Sequence, residues 1–254
     1  MIDSIADTSP RRLARIAGAL YLINIVLGAF AIGIVPAIIP LGPDAAATVH
    51  NIRSHELLYR LGLAAHVVVT VTNVPLAVIF YDLFKVVNRR LALLDACFIL
   101  VATSIEAAGI LHQFAPLVLL GGGPSAGAPA AQLQQALAYA PGGALSGIDY
   151  SIHTVFFGLD IIIFAYLVLS STFLPRAIGV LLAVDGVAYL LYSFADFLAP
   201  GFAAQLVPWI QLPALLGEGS LCLWLLVVGV DVERWKERAG AATRMRSTRV
   251  EAPA

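Results

Sequence analysis

Acidic side chains inside apolar segments are the feature of this sequence that points most directly to chemistry. The acids between residues 91 and 230 are Asp95, Glu106, Asp149, Asp160, Asp185, Asp196 and Glu218, and the one base there is Arg176. A charged side chain at the centre of a bilayer costs about 2.5–3.5 kcal/mol. Without basic partners, these carboxyl groups must be protonated, hydrated in a cavity or paired with a bound cation.

Helical spacing and depth select six polar residues as candidate ligands of such a cavity. Positions three or four residues apart share a helix face, and a rise of about 1.5 Å per residue places four of the acids near the membrane midplane. Glu106 and Glu218 are predicted to carry a proton or cation, and Asp160 and Asp185 to add charge. Asn73 and Tyr189 are predicted to supply neutral ligands.

A second polar group is predicted in the outer half of the membrane. Its members are His66, His112, Asp149 and His153. Histidine and carboxylate side chains are ligands of catalytic zinc, but the chain has no HExxH pair. His112 also lies about 120° away from the Glu106 face of its own helix. The sequence therefore leaves a metal unassigned, and it predicts no catalytic residue and no cofactor.

The composition predicts that membrane-spanning helices position these residues. Of the 254 residues, 60% are hydrophobic and 12% are charged, whereas soluble domains carry about 25% charged residues. About 20 helical residues cross a bilayer. Six segments reach that length, at about 13–38, 57–83, 91–118, 147–171, 176–198 and 209–230. We therefore predict an all-α integral membrane protein, a bundle of six transmembrane helices over residues 13–230.

The basic residues predict the orientation of this bundle. Of the 15 Lys and Arg residues, 13 fall on one side, and only Arg53 and Arg60 fall on the other. By the positive-inside rule, the N-terminal segment 1–12 and the basic tail 231–254 are cytoplasmic. The tail is predicted to fray or to lie on anionic lipid. Glycine and proline in segment 121–146 predict an outer loop with a short interfacial helix.

The same composition argues against several other classes of protein. The 15 basic and 16 acidic residues leave no concentrated basic face for nucleic acid. Cys97 and Cys222 lie in apolar runs without a CxxC spacing, which indicates neither a disulfide framework nor a zinc module. The chain has no P-loop and no dinucleotide-binding glycine pattern. The predicted partners are the lipid bilayer and a cation or other small molecule, and the oligomeric state stays open.

Several stretches resemble a bacterial multi-pass membrane family. They are Arg12–Gly18, Tyr81–Leu94, Leu111–Pro116, Phe173–Arg176, Tyr189–Pro200, Gly217-Glu218 and Leu223–Leu226. Together they are similar to the domain of unknown function 4386 from about Arg11 to Val230. The resemblance implies a location in a bacterial inner membrane and no particular activity. It marks Glu106, His112, Arg176 and Glu218 as positions of the family pattern, and Asp160, Asp185 and Asp196 as departures from it.

Three hypotheses on function follow. The first is a transporter or channel-like protein that binds a proton, a metal cation or a small organic cation in the acidic cavity. The second is a membrane scaffold or sensor subunit without catalysis, in which the polar residues only fix helix packing. The third is a metal-dependent enzyme that acts on a lipid-like substrate through the outer histidines. The residues favour the first hypothesis, and a protein that is not an enzyme.

Overall fold

The computed structural model describes residues 9–40, 45–120 and 144–250, and these residues form helices and no strand. The helices are α1 (Pro10–Gly28), a π-helical turn (Ala29–Ile34) that continues into α2 (Val35–Ile38), α3 (Ala45–Ser54), α4 (Glu56–Gln113), α5 (Ala115–Leu120), α6 (Ala144–Ser170), α7 (Arg176–Leu198), α8 (Pro200–Val227) and α9 (Val232–Val250). Among the described residues, five segments are long and apolar enough to cross a membrane: Pro10–Ile38, Glu56–Val118, Gly147–Ser170, Arg176–Leu198 and Trp209–Val227. The described part of the chain is therefore all-helical, and its long apolar helices are those of a membrane-embedded protein.

The longest helix, α4, contains two of the predicted spans, 57–83 and 91–118. It is interrupted at Asn88, whose φ of −153° and ψ of 105° are not helical. The Asn88 Oδ1 accepts the backbone N–H groups of Arg90 and Leu91 at 3.1 and 3.2 Å, as a helix N-cap does. Six spans were predicted, and one of the five apolar segments, Glu56–Val118, covers two of them on either side of Asn88.

The two halves of α4 run antiparallel and contact each other. The Tyr59 hydroxyl donates to the Gln113 carbonyl at 2.8 Å, across 54 positions of sequence. Nearer the interruption, Asn73 Nδ2 donates to Thr103 Oγ1 at 3.2 Å, across 30 positions. A straight helix of this length would hold these residues far apart, so the chain folds back at Asn88.

The long helices form a ring in which each helix packs against the next. α1 packs against α4, α4 against α6, α6 against α7 and α7 against α8, and α8 returns to α1. One end of the ring carries Arg11, Lys85 and Arg176 and is named the basic end. The other end, where Ile38 and Leu198 finish their helices, is named the distal end.

The basic end has a continuous apolar core in which four phenylalanines pack together. The Phe164 ring centroid lies 4.7 Å from that of Phe80 and 5.0 Å from that of Phe84. Phe84 in turn lies 5.5 Å from Phe173. A separate and smaller cluster lies at the distal end and consists of Val35, Ile39, Ile52, Tyr59, Leu63 and Leu117.

Glycines permit two close crossings between neighbours in the ring. A Cβ added to Gly18 of α1 would lie 2.5 Å from the backbone nitrogen of Leu226 in α8. A Cβ added to Gly186 of α7 would lie 2.9 Å from the carbonyl oxygen of Gly158 in α6. Side-chain carbons do not tolerate such distances, so these crossings require residues without a Cβ.

Most of the segment that follows α8 forms a helix, α9, whereas the sequence predicted a tail that frays or lies on anionic lipid. The Asp231 Oδ1 accepts the backbone N–H groups of Glu233 and Arg234 at 3.1 and 3.2 Å and caps the helix. Trp235 Nε1 then donates to the Leu83 carbonyl at 2.9 Å. α9 is thereby attached to the basic end of α4.

Two further expectations concern segment boundaries. α8 begins at Pro200, and the apolar segment Trp209–Val227 within it corresponds to the last predicted span, at about 209–230. Proline is tolerated in a first helical turn, and Pro213 is accommodated inside the helix, as happens in membrane helices. Residues 121–143 of the predicted outer loop, which was expected to contain a short interfacial helix, lie outside the described residues. Residues 144–146 belong to α6.

Candidate functional site

A cavity of about 720 Å³ lies inside the ring of helices. Four carboxyl residues line it: Asp95, Glu106, Asp160 and Glu218. Among the described residues that line the cavity there is no lysine and no arginine. The rest of the wall is largely apolar and aromatic, so negative charge is concentrated at a few positions.

Glu218 of α8 joins three helices. Its Oε2 accepts the hydroxyl of Tyr21 from α1 at 2.7 Å, and its Oε1 accepts the hydroxyl of Tyr189 from α7 at 3.1 Å. Of the candidate ligands predicted from sequence, Glu218 and Tyr189 are thus in direct contact. A carboxylate with a hydrogen-bond donor on each oxygen is held in a fixed orientation.

Asp185 of α7 lies beside Glu218 but outside the cavity lining. Its side chain is 0% exposed, and its carboxyl group is close enough to that of Glu218 to interact with it. Its Cβ is 3.4 Å from the position of a Cβ added to Gly217 of α8. Asp185 was predicted to add charge to the cavity, whereas the packing of α7 on α8 places it behind the wall.

Asp95 and Asp160 form a second carboxyl pair, across the contact between α4 and α6. Both are buried and both line the cavity. They are close enough to interact electrostatically with each other, and Asp160 also with Glu218. The Oδ1 of Asp95 is fully buried and has no hydrogen-bond partner among the described residues. A ligand with positive charge in the cavity could offset the repulsion within the pair.

Neutral polar groups connect α1 with both halves of α4. Asn24 Nδ2 donates to Asn73 Oδ1 at 2.5 Å, and the Thr72 hydroxyl donates to Asn24 Oδ1. Asn73 continues the chain of hydrogen bonds to Thr103. Asn24 and Asn73 both line the cavity, so the predicted neutral ligand Asn73 is part of a network of amides and hydroxyls.

Glu106 pairs with one of the predicted outer histidines. The Nε2 of His66 lies 2.9 Å from the Glu106 Oε1, and both side chains are 11% exposed. The other oxygen, Oε2, is buried and has no hydrogen-bond partner among the residues the structure describes. Glu106 therefore has one oxygen fixed by a histidine and one without such a contact.

The predicted outer-half polar group does not form one cluster. His66 is with Glu106, whereas His112 Nδ1 lies 4.0 Å from Asp149 Oδ2 in a partly exposed pair. His153 Nδ1 donates to the Ala102 carbonyl at 3.0 Å. No group of three His, Cys, Asp or Glu side chains with the geometry of a metal site occurs in the described ranges.

The cavity also contains polar residues that the sequence did not select as candidates. Asp95 is the main one, because counting along the helix placed it nearer to the basic end than the other acids. Its spacing of 11 residues from Glu106, three helical turns, already placed it on the same helix face as Glu106. Tyr150 and Tyr192 also line the cavity, but a tyrosine near a span end reads equally well as an interface anchor.

Residues 16–229 match the family described as domain of unknown function (DUF4386). No curated protein and no solved structure is significantly similar to the chain. The matched range contains all four carboxyl residues of the cavity wall.

Proposed function

The chain belongs to the family of the domain of unknown function 4386, and we propose that its cavity binds a cation. The observation that carries this proposal is charge: four carboxyl residues line the cavity, and no lysine or arginine does so in the part of the chain described. Buried carboxyl groups without basic partners are costly unless protons or a cation neutralise them. A cation that enters the cavity therefore gains favourable interactions with several groups already in place.

A small organic cation is the ligand class that the cavity favours. Cavities of about 300–1,000 Å³ with apolar walls and a few polar groups are typical of organic ligands. The rings of Tyr150, Phe157, Tyr189 and Tyr192 line the space, and aromatic faces attract cations. A bare metal ion is less favoured, because no three potential ligands converge in the described part of the chain.

A structural role without a ligand is the second candidate, because Glu218 hydrogen-bonds two helices to a third. In that case the carboxyl groups would serve as polar contacts between helices. The enzyme hypothesis has weaker support, since His66, His112 and His153 have three different partners.

Thermal melting in lipid nanodiscs distinguishes the two candidates. Tetraethylammonium should raise the melting temperature of the parent with increasing concentration, because a ligand bound only to the folded state stabilises it. Glu218→Gln keeps the size of the side chain and removes its charge, and should abolish the shift. Glu56→Gln removes an exposed carboxyl at the distal end and should preserve it. A folded parent that shows no shift would support the structural role.

We further infer that the chain crosses a bacterial inner membrane six times, with both termini in the cytoplasm. The reversal at Asn88 supports two crossings within α4, and the basic residues at one end support this orientation. A cysteine at Gly240, in a Cys97→Ala background, should resist an impermeant maleimide in intact cells and react in inverted vesicles. Labelling in intact cells would contradict the orientation.

A further inference from the structure

The helices α1 and α8 touch near the basic end and diverge toward the distal end. At Gly18 an added Cβ would meet the backbone of Leu226 at 2.5 Å. At the end of α1, a Cβ added to Gly28 would have no atom within 4 Å, and the same is true of Gly33 in the π-helical turn and of Gly219 in α8. The ring is therefore closed at one end of this contact and open at the other.

Apolar side chains line both edges of this opening. We define the α1–α8 seam by four residues that line the cavity and are exposed on the bundle: Ile32 (47%), Val207 (48%), Leu212 (46%) and Leu215 (63%). Exposed aliphatic residues within membrane-spanning segments face hydrocarbon. Gln211 is the polar residue beside them. The seam therefore connects the cavity with the lipid tails.

On the side of the cavity away from the seam, carboxyl groups lie next to a layer of packed aromatic rings. Phe80 and Phe164 line the cavity with ring centroids 4.7 Å apart, and Tyr21 meets Phe80 edge to face at 6.3 Å. The Tyr21 hydroxyl donates to Glu218. A molecule that fills the cavity thus meets carboxyl groups at one end and hydrocarbon at the other.

The pair formed by Asp95 and Asp160 also favours a cationic ligand. Asp95 is 5% exposed and Asp160 is 7% exposed, and both line the cavity. The two carboxyl groups lie close enough to interact electrostatically. Neighbouring buried carboxylates repel each other unless a proton or a cation neutralises them, so this pair favours a ligand group that carries positive charge.

From this arrangement we propose that the cavity takes an amphiphilic cation, with an ammonium head among Glu218, Asp160 and Asp95 and an apolar tail in the α1–α8 seam. The proposal rests on cation binding as the function and adds the class of ligand and its route from the lipid. A compact hydrophilic cation would leave the seam unfilled, whereas a neutral lipid would leave the carboxyl groups uncompensated.

Two probes with the same head group test this proposal: tetramethylammonium and decyltrimethylammonium. Each is titrated calorimetrically into the protein in nanodiscs, with empty nanodiscs subtracted and decyl maltoside as the uncharged single-chain control. Glu218→Gln removes charge at the head site. Gly33→Phe fills the seam at a position open to a Cβ, and Leu212→Trp narrows the seam from α8. Gly201→Phe places the same ring on an exposed part of α8 outside the cavity lining.

Glu218→Gln should weaken both probes. Gly33→Phe and Leu212→Trp should weaken decyltrimethylammonium by about tenfold or more, since each methylene excluded from apolar contact is worth roughly fourfold. They should change the affinity for tetramethylammonium by less than about twofold, and Gly201→Phe should change the affinity for neither probe.

The proposal of an amphiphilic ligand would be overturned if the seam variants affected the binding of both probes equally. It would also be overturned if the parent bound both probes with equal affinity. Neither result would contradict cation binding itself. Binding of decyl maltoside as tight as that of decyltrimethylammonium would also overturn the proposal of an amphiphilic ligand. A parent that binds neither cation would overturn the proposed function itself.

Discussion

The basic end and the distal end of the bundle are built in different ways. At the basic end, four phenylalanines fill the interior and α1 contacts α8 directly at Gly18. Toward the distal end the same two helices diverge, and carboxyl groups, amides and tyrosines surround a cavity. The large apolar cluster thus lies at one end of the ring, and the groups proposed to bind a ligand lie toward the other. Substitutions at the two ends should therefore affect different measurements.

The largest effect is expected from Phe84→Ala at the basic end. Phe84 is 1% exposed, so its removal leaves a cavity in the aromatic cluster. The loss should be about 2–4 kcal/mol of unfolding free energy, toward the low end of the aqueous range because lipid replaces water as the reference. Phe202→Ala, at a half-exposed position, is the control. Equilibrium unfolding in mixed micelles measures the unfolding free energy of both variants. Equal losses would contradict the difference between the two ends.

The second largest effect is expected from Gly18→Ala, which should lose about 1–3 kcal/mol of unfolding free energy, since the new methyl group would overlap the backbone of α8. Gly28→Ala is the matched control on the same helix, because an added Cβ there meets no atom within 4 Å. That variant should stay within about 0.5 kcal/mol of the parent. Unfolding curves of the pair report how tightly α1 and α8 pack at the two ends. A stable Gly18→Ala protein would show that the contact is loose.

Trp235→Phe tests whether α9 contributes to the stability of the basic end. The change keeps an aromatic ring and removes the indole N–H that donates to the Leu83 carbonyl. The expected loss is about 1 kcal/mol, typical of one hydrogen bond. Hydrogen exchange should at the same time become faster in α9. Unchanged exchange would indicate that other contacts hold α9 in place.

Glu218→Gln should have the smallest effect on stability, although the residue is central to the cavity. Glutamine retains a carbonyl oxygen for a tyrosine hydroxyl and removes a buried charge, so stability should change by less than about 1 kcal/mol or increase. Glu218→Ala, which removes the acceptor for both tyrosines, should be the less stable of the two variants. A loss above about 2 kcal/mol for Glu218→Gln would favour a structural role for this carboxyl group.

The membrane class of the fold could be predicted because hydropathy depends on the chain alone. Five apolar segments lie in the regions where the sequence indicated spanning helices. A reversal between the predicted spans 57–83 and 91–118 could also be read from the sequence, because Lys85, Asn88, Arg89 and Arg90 interrupt the apolar residues, and the structure has it at Asn88. The cap at Asp231 was less predictable, since an aspartate before a charged tail also fits a frayed terminus.

The faces of the individual helices were easier to predict than the contacts between them. Spacing identified the polar faces that carry Glu106 and Glu218, and both residues line the cavity. The rotation of α7 was not predictable, because it depends on crossings at Gly186 and Gly217 with neighbours distant in sequence. For this reason Asp185 lies behind the cavity wall. The separation of His66 from His153 likewise depends on the order of helices in the ring.

Isothermal titration of the protein in nanodiscs with choline and its uncharged carbon isostere, 3,3-dimethylbutan-1-ol, tests the central claim most directly. The two molecules share a shape and differ by one positive charge. If the carboxyl groups of the cavity bind a cation, choline will bind and the isostere will not, and Glu218→Gln will lose much of the difference between them. Equal affinity for both molecules, or binding of neither by a folded protein, would contradict the account.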